Sequence, residues 1–259
     1  RASGASSALA GGRWSLVADL AAAGGPLSPT ERLLAQARML LGRYGIVSRE
    51  AVAAEGLPGG FGPLYRVFKQ MEEQGQVRRG HFVEGLSGAQ FASPGAVDQL
   101  RGARLEEPPL DGFGADALTI LAASDPANPY GALLPWPATA GAQAPRRAAG
   151  CTLLLVAGRP VLYLGVGGRQ LTSFAGDDDD QGALDLALDA LHRLPRGGRG
   201  RFAIRQIDGQ PPLATPLGPR LLAAGFEPDG DTLIPSRDPA RYQARTTRRD
   251  GIAGAGPES

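Results

Sequence analysis

Three short helical segments between residues 28 and 74, each fenced by its own start and stop signals, constrain the fold most. Ser28 offers its hydroxyl to a first-turn amide, Pro29 suits the first helical position, and Glu31 completes a capping box. Leu33, Leu34, Ala37, Leu40, Leu41 and Tyr44 then recur at helical spacing as one apolar stripe, which Gly45 stops. Ser48 caps a second helix over residues 49–55, ended by Gly56. A third is expected over about residues 62–74, with Leu64, Val67, Phe68 and Met71 on its buried side. Each is too short to persist alone in water, so burial against its neighbours must hold it. Residues 76–85 (QVRRGHFVEG) read as two strand-like pieces around Gly80, and residues 95–101 as a short helical exit. Three compact helices followed by a hairpin is the order of a winged helix-turn-helix.

The second half changes period. Residues 117–123 form a strand candidate ahead of the loop 124–129, and residues 151–156, 161–166 and 170–174 are three β-type runs joined by Gly-rich turns. Four aspartates, 177–180, precede a helix over 183–194 that aligns Leu184, Leu188 and Leu191. A strand over 202–207, a helix over 216–224 and a strand over 232–235 complete the pattern. The class is therefore α+β. A linker over 1–27 holds one short ordered patch at 12–17, and a winged-helix domain spans 28–103. A linker over 104–116, a second α+β domain over 117–237 and a disordered tail over 238–259 follow. There is no internal repeat across the two halves.

Composition narrows the classes further. The 259 residues carry 27 basic and 26 acidic side chains, and 42% are hydrophobic, enough to fill a core and to exclude wholesale disorder. With 6% aromatics that core must be mostly Leu, Val and Ala, while 38 Gly and 22 Pro imply many turns. No apolar run approaches the ~20 residues of a membrane span, and no secretory leader opens the chain, so a cytoplasmic protein without membrane partners is expected. A single cysteine, Cys151, excludes an internal disulfide, and with two histidines no metal site is expected. A chain opening on Arg1 reads as a piece of something longer.

No GxxxxGK[ST] loop is present, and the glycines from Gly165 to Gly168 belong to a strand–turn–strand segment that opens no helix. This piece should not hydrolyse ATP by itself and needs no cofactor. In winged helices the third helix enters a groove while helix ends and wing touch phosphates. Arg66 and Lys69 on that helix, with Arg78, Arg79 and His81 on the wing, are the candidate nucleic-acid contacts. Glu72 and Glu73 share the helix, and residues 28–101 are only slightly basic, so packing against protein stands as the alternative. Asp125 follows an apolar strand in a Pro-rich loop, a place for a working carboxylate or for a turn in which Asp bonds its own downstream amides. The four aspartates suit either a divalent cation or a solvated helix start. His192 is a boundary histidine, and Cys151 a small core residue.

Several uncommon strings occur in an order that resembles the bacterial Lhr (large helicase-related) family of superfamily 2 helicases. They are GRWSLV at 12–17, LGRYGIVSRE at 41–50, GGF at 59–61 with Tyr65 to Met71, RRGHFVEGL at 78–86 with AQF at 89–91, and SDPANPY at 124–130 with LPW at 134–136. The resemblance covers most of residues 12–237. It implies two RecA-like motor domains, a winged helix and a β-barrel module, with a C-terminal extension in long forms. The motor, its Walker motifs and its DEAH-type box are absent from this chain. The resemblance thus implies a C-terminal winged-helix plus β-barrel segment, with the domain over 117–237 barrel-like and ATP and Mg confined to the parent motor. Its partners would be DNA or RNA, the motor domains of the same parent chain, and a second copy if the segment oligomerises. The same modules are similar to alkylation-repair DNA glycosylases, whose catalytic Gln-containing motif is not evident. If base excision occurred here, Asp125 would be the candidate catalytic residue, and whether the chain is an enzyme stays open. Three expectations follow: a non-motor module gripping phosphates, a repair glycosylase flipping a damaged base, or an assembly module.

Overall fold

A computed structural model describes residues 16–19, 24–103, 113–174, 181–194 and 202–236. The chain divides into two compact units, Arg1–Arg101 and Gly102–Ser259. The ordered patch expected at 12–17 falls largely outside the described residues, as do residues 104–112 of the linker, the four aspartates and the tail from 238.

In the first unit, helix α1 (Pro29–Tyr44) starts at the capping box. The Glu31 amide donates to the Ser28 hydroxyl at 3.3 Å, and the Ser28 amide to the Glu31 carboxylate at 2.9 Å. Gly45, at φ 68°, ends it in a conformation that other residues rarely adopt. Strand β1 (Ile46–Val47) leads into α2 (Arg49–Ala54), where Ser48 accepts the Ala51 amide. Helix α3 (Phe61–Glu73) buries Leu64, Val67, Phe68 and Met71, the stripe set by its sequence. These pack with Ala37 and Leu40 of α1, Val47, Val52 and Phe91, and the Phe68 and Phe91 rings stack at 5.1 Å. Full burial of one such side chain stabilises by about 2 kcal/mol, which is how three marginal helices hold together.

Strands β2 (Arg78–Gly80) and β3 (Gln90–Ala92) pair antiparallel, in the sheet order β1-β3-β2, and α4 (Pro94–Gly102) follows. The returning wing strand therefore lies beyond the segment 81–85 that the sequence suggested. Gln90 is the physical reason. Wholly buried, it accepts the Phe82 and Val83 amides through one oxygen and donates to the Val83 carbonyl, each at 2.9 Å. The peptide groups that a strand would have used are bonded to this side chain, and residues 81–89 become the wing loop.

In the second unit, β4 (Leu118–Ala122), β5 (Thr152–Val156), β6 (Arg159–Leu164), β7 (Gln170–Ser173) and β8 (Gln206–Ile207) form one sheet in chain order. All neighbours are antiparallel except β7 and β8, which are parallel. Helices α5 (Gln181–Arg193) and α6 (Leu217–Ala223) and the hairpin of β9 (Phe226–Asp229) and β10 (Thr232–Pro235) share a core with Leu154, Val156, Leu162, Leu164 and Leu171. Leu153, Leu155 and Tyr163 join a second cluster with Cys151, Tyr130 and Trp136. Both faces of β5 are covered, so its Leu-Leu-Leu-Val run shows no alternation.

The unit is α+β as expected, but among the described residues its sheet is open rather than a closed barrel. Strands β4 and β8 each have one strand neighbour. Next to β8, Ile204 pairs with Leu233 of the β9–β10 hairpin. Only residues 206–207 of the strand expected over 202–207 run in the sheet, and β9 was not foreseen.

Candidate nucleic-acid interface

Because α3 buries one stripe, Arg66 and Lys69 stand on its opposite, exposed face. On the wing, consecutive strand residues point to opposite faces. Arg79 is in register with Phe91, whose ring packs towards α3, and its Nε lies 3.3 Å from a Glu72 carboxylate oxygen near the end of that helix. Arg78 is in register with Ala92 on the other face and has no ion pair among the described residues. His81 opens the wing loop, exposed.

Two grooves meet at Ala89. The first, about 610 Å³, is lined by Arg49, Phe61, Gly62, Tyr65 and Ala89. The second, about 460 Å³, is lined by Arg79, Gly80, His81, Gly88 and Ala89. Tyr65 is braced between Phe61 and Phe91, with ring centroids 6.0 and 5.7 Å away, so the first groove has a fixed aromatic wall. Gly62 adds no side chain to obstruct it. The wing loop is held over α2 by Glu50, whose Oε1 accepts the Ser87 hydroxyl at 2.7 Å and the Ser87 amide at 3.2 Å. Burial pushes the Glu50 carboxyl up, but the two Ser87 bonds, with the nearby Ser48 hydroxyl and the residue's own amide, outweigh it and hold the group below the usual glutamate range. Glu50 Oε2 is buried and has no hydrogen-bond partner among the described residues.

Of the sequence candidates, the structure gathers Arg79 and His81 on the second groove. Arg66 and Lys69 occupy the exposed face of α3, and Arg78 lies across the wing strand. Sequence reasoning missed Arg49, because residues 49, 61–65 and 89 converge only after folding. A signal was present: Arg49 is the first residue of α2, where the helix dipole disfavours a cation. Gln90 and Glu50, which shape the wing, were missed for the same reason.

Asp125 lies in the second unit. Its Oδ1 accepts the Ala127 amide at 2.8 Å, a turn closed by the side chain, and its carbonyl accepts from the Arg147 guanidinium at 3.1 Å. Among the described residues no cluster of His, Cys, Asp and Glu suits a metal ion, and no helix is long and apolar enough to cross a membrane.

The first unit is a winged-helix domain with basic residues on its third helix and wing. Residues 26–111 match the winged-helix domain of the large helicase-related protein. The chain is 39% identical over 219 residues to the Lhr helicase/uracil glycosylase of Escherichia coli strain K12, covering 83% of this chain and 13% of that protein. It is 47% identical over 201 residues to the Lhr helicase/probable uracil glycosylase of Mycolicibacterium smegmatis, covering 76% of this chain and 12% of that protein. The chain belongs to the large helicase-related family, as a segment spanning about an eighth of the length of these relatives.

Proposed function

We propose that this segment is a non-motor nucleic-acid-binding module of an Lhr-type helicase, gripping the phosphate backbone through its winged helix. One observation carries the reading: two grooves that meet at Ala89, rimmed by Arg49, Arg79 and His81 and walled by Phe61 and Tyr65. Guanidinium groups beside an aromatic wall suit a strand whose phosphates meet the rim while a base rests on a ring. Lys69 and Arg66 extend the positive surface along α3, and Arg78, unpaired among the described residues on the other face of the wing strand, adds a phosphate contact outside the grooves. The motor that consumes ATP and Mg belongs to the rest of the parent protein, and this module holds the strand for it. The test is fluorescence anisotropy of labelled oligothymidylate and oligouridylate across a salt series. Arg49→Ala and Arg78→Ala should each weaken binding whatever the sequence and lower the slope of log K against log salt by about 0.7. Wild-type slopes in both variants would refute the reading.

A second reading, base excision, is supported by the relatives' names, one a uracil glycosylase and the other a probable uracil glycosylase. Incubating the chain with uracil-containing DNA and assaying abasic sites separates it from a purely binding role.

A further inference from the structure

The second unit carries a pair of arginines that the wing reading leaves unused. Arg169 and Arg205 sit side by side where β7 and β8 begin to run parallel, with the Arg205 amide donating to the Arg169 carbonyl at 2.8 Å. The Gln206 amide donates to the same carbonyl at 3.2 Å, and the Gln170 and Gln206 side chains bond to one another at 3.4 Å. All four residues are exposed.

Neither guanidinium has an ion pair or a hydrogen bond among the described residues. The nearest carboxylate along the chain from Arg205 is Asp208, which is engaged elsewhere: its two oxygens accept the Ser173 amide at 2.8 Å and the Ser173 hydroxyl at 2.7 Å. Like charges on neighbouring strands repel, and no carboxylate among the described residues pairs with either.

The support is closely packed. The turn from β6 to β7 places Gly167 and Gly168 at φ 69° and 70°. A Cβ on Gly168 would overlap the Phe202 Cβ, so the turn is pressed against the segment that leads to Arg205. Two guanidinium groups, unpaired among the described residues and carried on neighbouring strands beside exposed amides, can meet an anion together. Val166, 63% exposed on the same turn, adds an apolar neighbour suited to a sugar or base.

We propose that Arg169 and Arg205 form a second phosphate contact, for the phosphodiester backbone of single-stranded nucleic acid. The choice of ligand rests on the proposed function; the site is distinct from the wing grooves. The test uses the full chain with labelled oligothymidylate and oligouridylate across a salt series, comparing Arg169→Ala/Arg205→Ala with Arg49→Ala/Arg78→Ala. The first pair should bind about tenfold more weakly, with the salt slope lower by about 1.4, two contacts at about 0.7 each. Arg169→Lys/Arg205→Lys should restore the slope, which a merely structural role would not predict. Wild-type affinity in Arg169→Ala/Arg205→Ala, with weakened binding in the wing pair, would overturn this site and leave the wing reading standing. No binding by the unaltered chain to either oligonucleotide would overturn both.

Discussion

The Glu50 carboxylate takes the Ser87 hydroxyl at 2.7 Å, joining the first turn of α2 to a wing loop 37 residues further along the chain. A partly exposed contact of this kind stabilises by about 1 kcal/mol after solvent screening. Its main effect is to hold the loop that carries Ala89, which lines both grooves. The Glu50 carboxyl is held below its unfolded value, so its contribution is complete above the unfolded glutamate range and is lost as pH falls through the folded value. Glu50→Gln should therefore flatten the acid limb of the stability curve below about pH 4.3. Urea melts of both proteins from neutral to acid pH check this, and parallel curves would remove the tether from the account.

Arg79 and Arg78 should not behave alike, although they are adjacent. Arg79 is already paired with Glu72, and a phosphate must compete with that carboxylate. Glu72→Gln frees Arg79 and should tighten oligonucleotide binding two- to fivefold at low salt, an increment of about 0.5 to 1 kcal/mol for a surface pair. Arg78→Ala should cost more affinity than Arg79→Ala. Anisotropy titrations of the three variants decide it, and weaker binding by Glu72→Gln would contradict the competition.

Gln90 is wholly buried with both ends of its amide bonded to the wing loop. Gln90→Leu keeps the bulk but strands two amides and one carbonyl, and should destabilise the first unit by about 2 kcal/mol. Hydrogen exchange at Phe82 and Val83 should accelerate with it. Wild-type protection at those amides would show that water replaces the side chain at no cost.

Where structure follows local chemistry, the sequence was legible. The capping box at Ser28 and Glu31, the stop at Gly45 and the buried stripe of α3 all stand where spacing puts them. Legibility failed where long-range contacts decide. The wing strand returns at 90–92 because Gln90 occupies the amides of residues 82 and 83, a bond between residues seven or eight positions apart. Strand β9 contains a proline and two acids and forms only because β10 pairs with it. For the site, Arg66, Lys69, Arg78, Arg79 and His81 were readable as charges on a helix and a wing. Arg49 stood out only as a cation on the first turn of a helix, and its place beside Tyr65 and Ala89 comes only with the tertiary fold.

Asp208 holds a left-handed backbone, φ 52°, while its carboxylate binds both the amide and the hydroxyl of Ser173. Asp208→Ala loses both bonds and keeps the backbone strain, and should cost about 2 kcal/mol. Asp208→Asn tolerates the backbone and should cost less. Equal losses in denaturant melts would mean that charge alone holds the β7 end.

Asp125 separates turn formation from chemistry. Its Oδ1 closes a turn on the Ala127 amide, and the Arg147 guanidinium fixes the same loop through the carbonyls of Asp125, Asn128 and Tyr130. An asparagine oxygen can accept the same amide, so Asp125→Asn should melt within about 0.5 kcal/mol of wild type, whereas Asp125→Ala should lose about 1 kcal/mol. A carboxylate engaged in a turn is poorly placed to activate water. Any abasic-site yield from uracil-containing DNA should accordingly be the same for wild type and Asp125→Asn. A lower yield from Asp125→Asn with an unchanged melt would transfer Asp125 from the loop's architecture to the reaction.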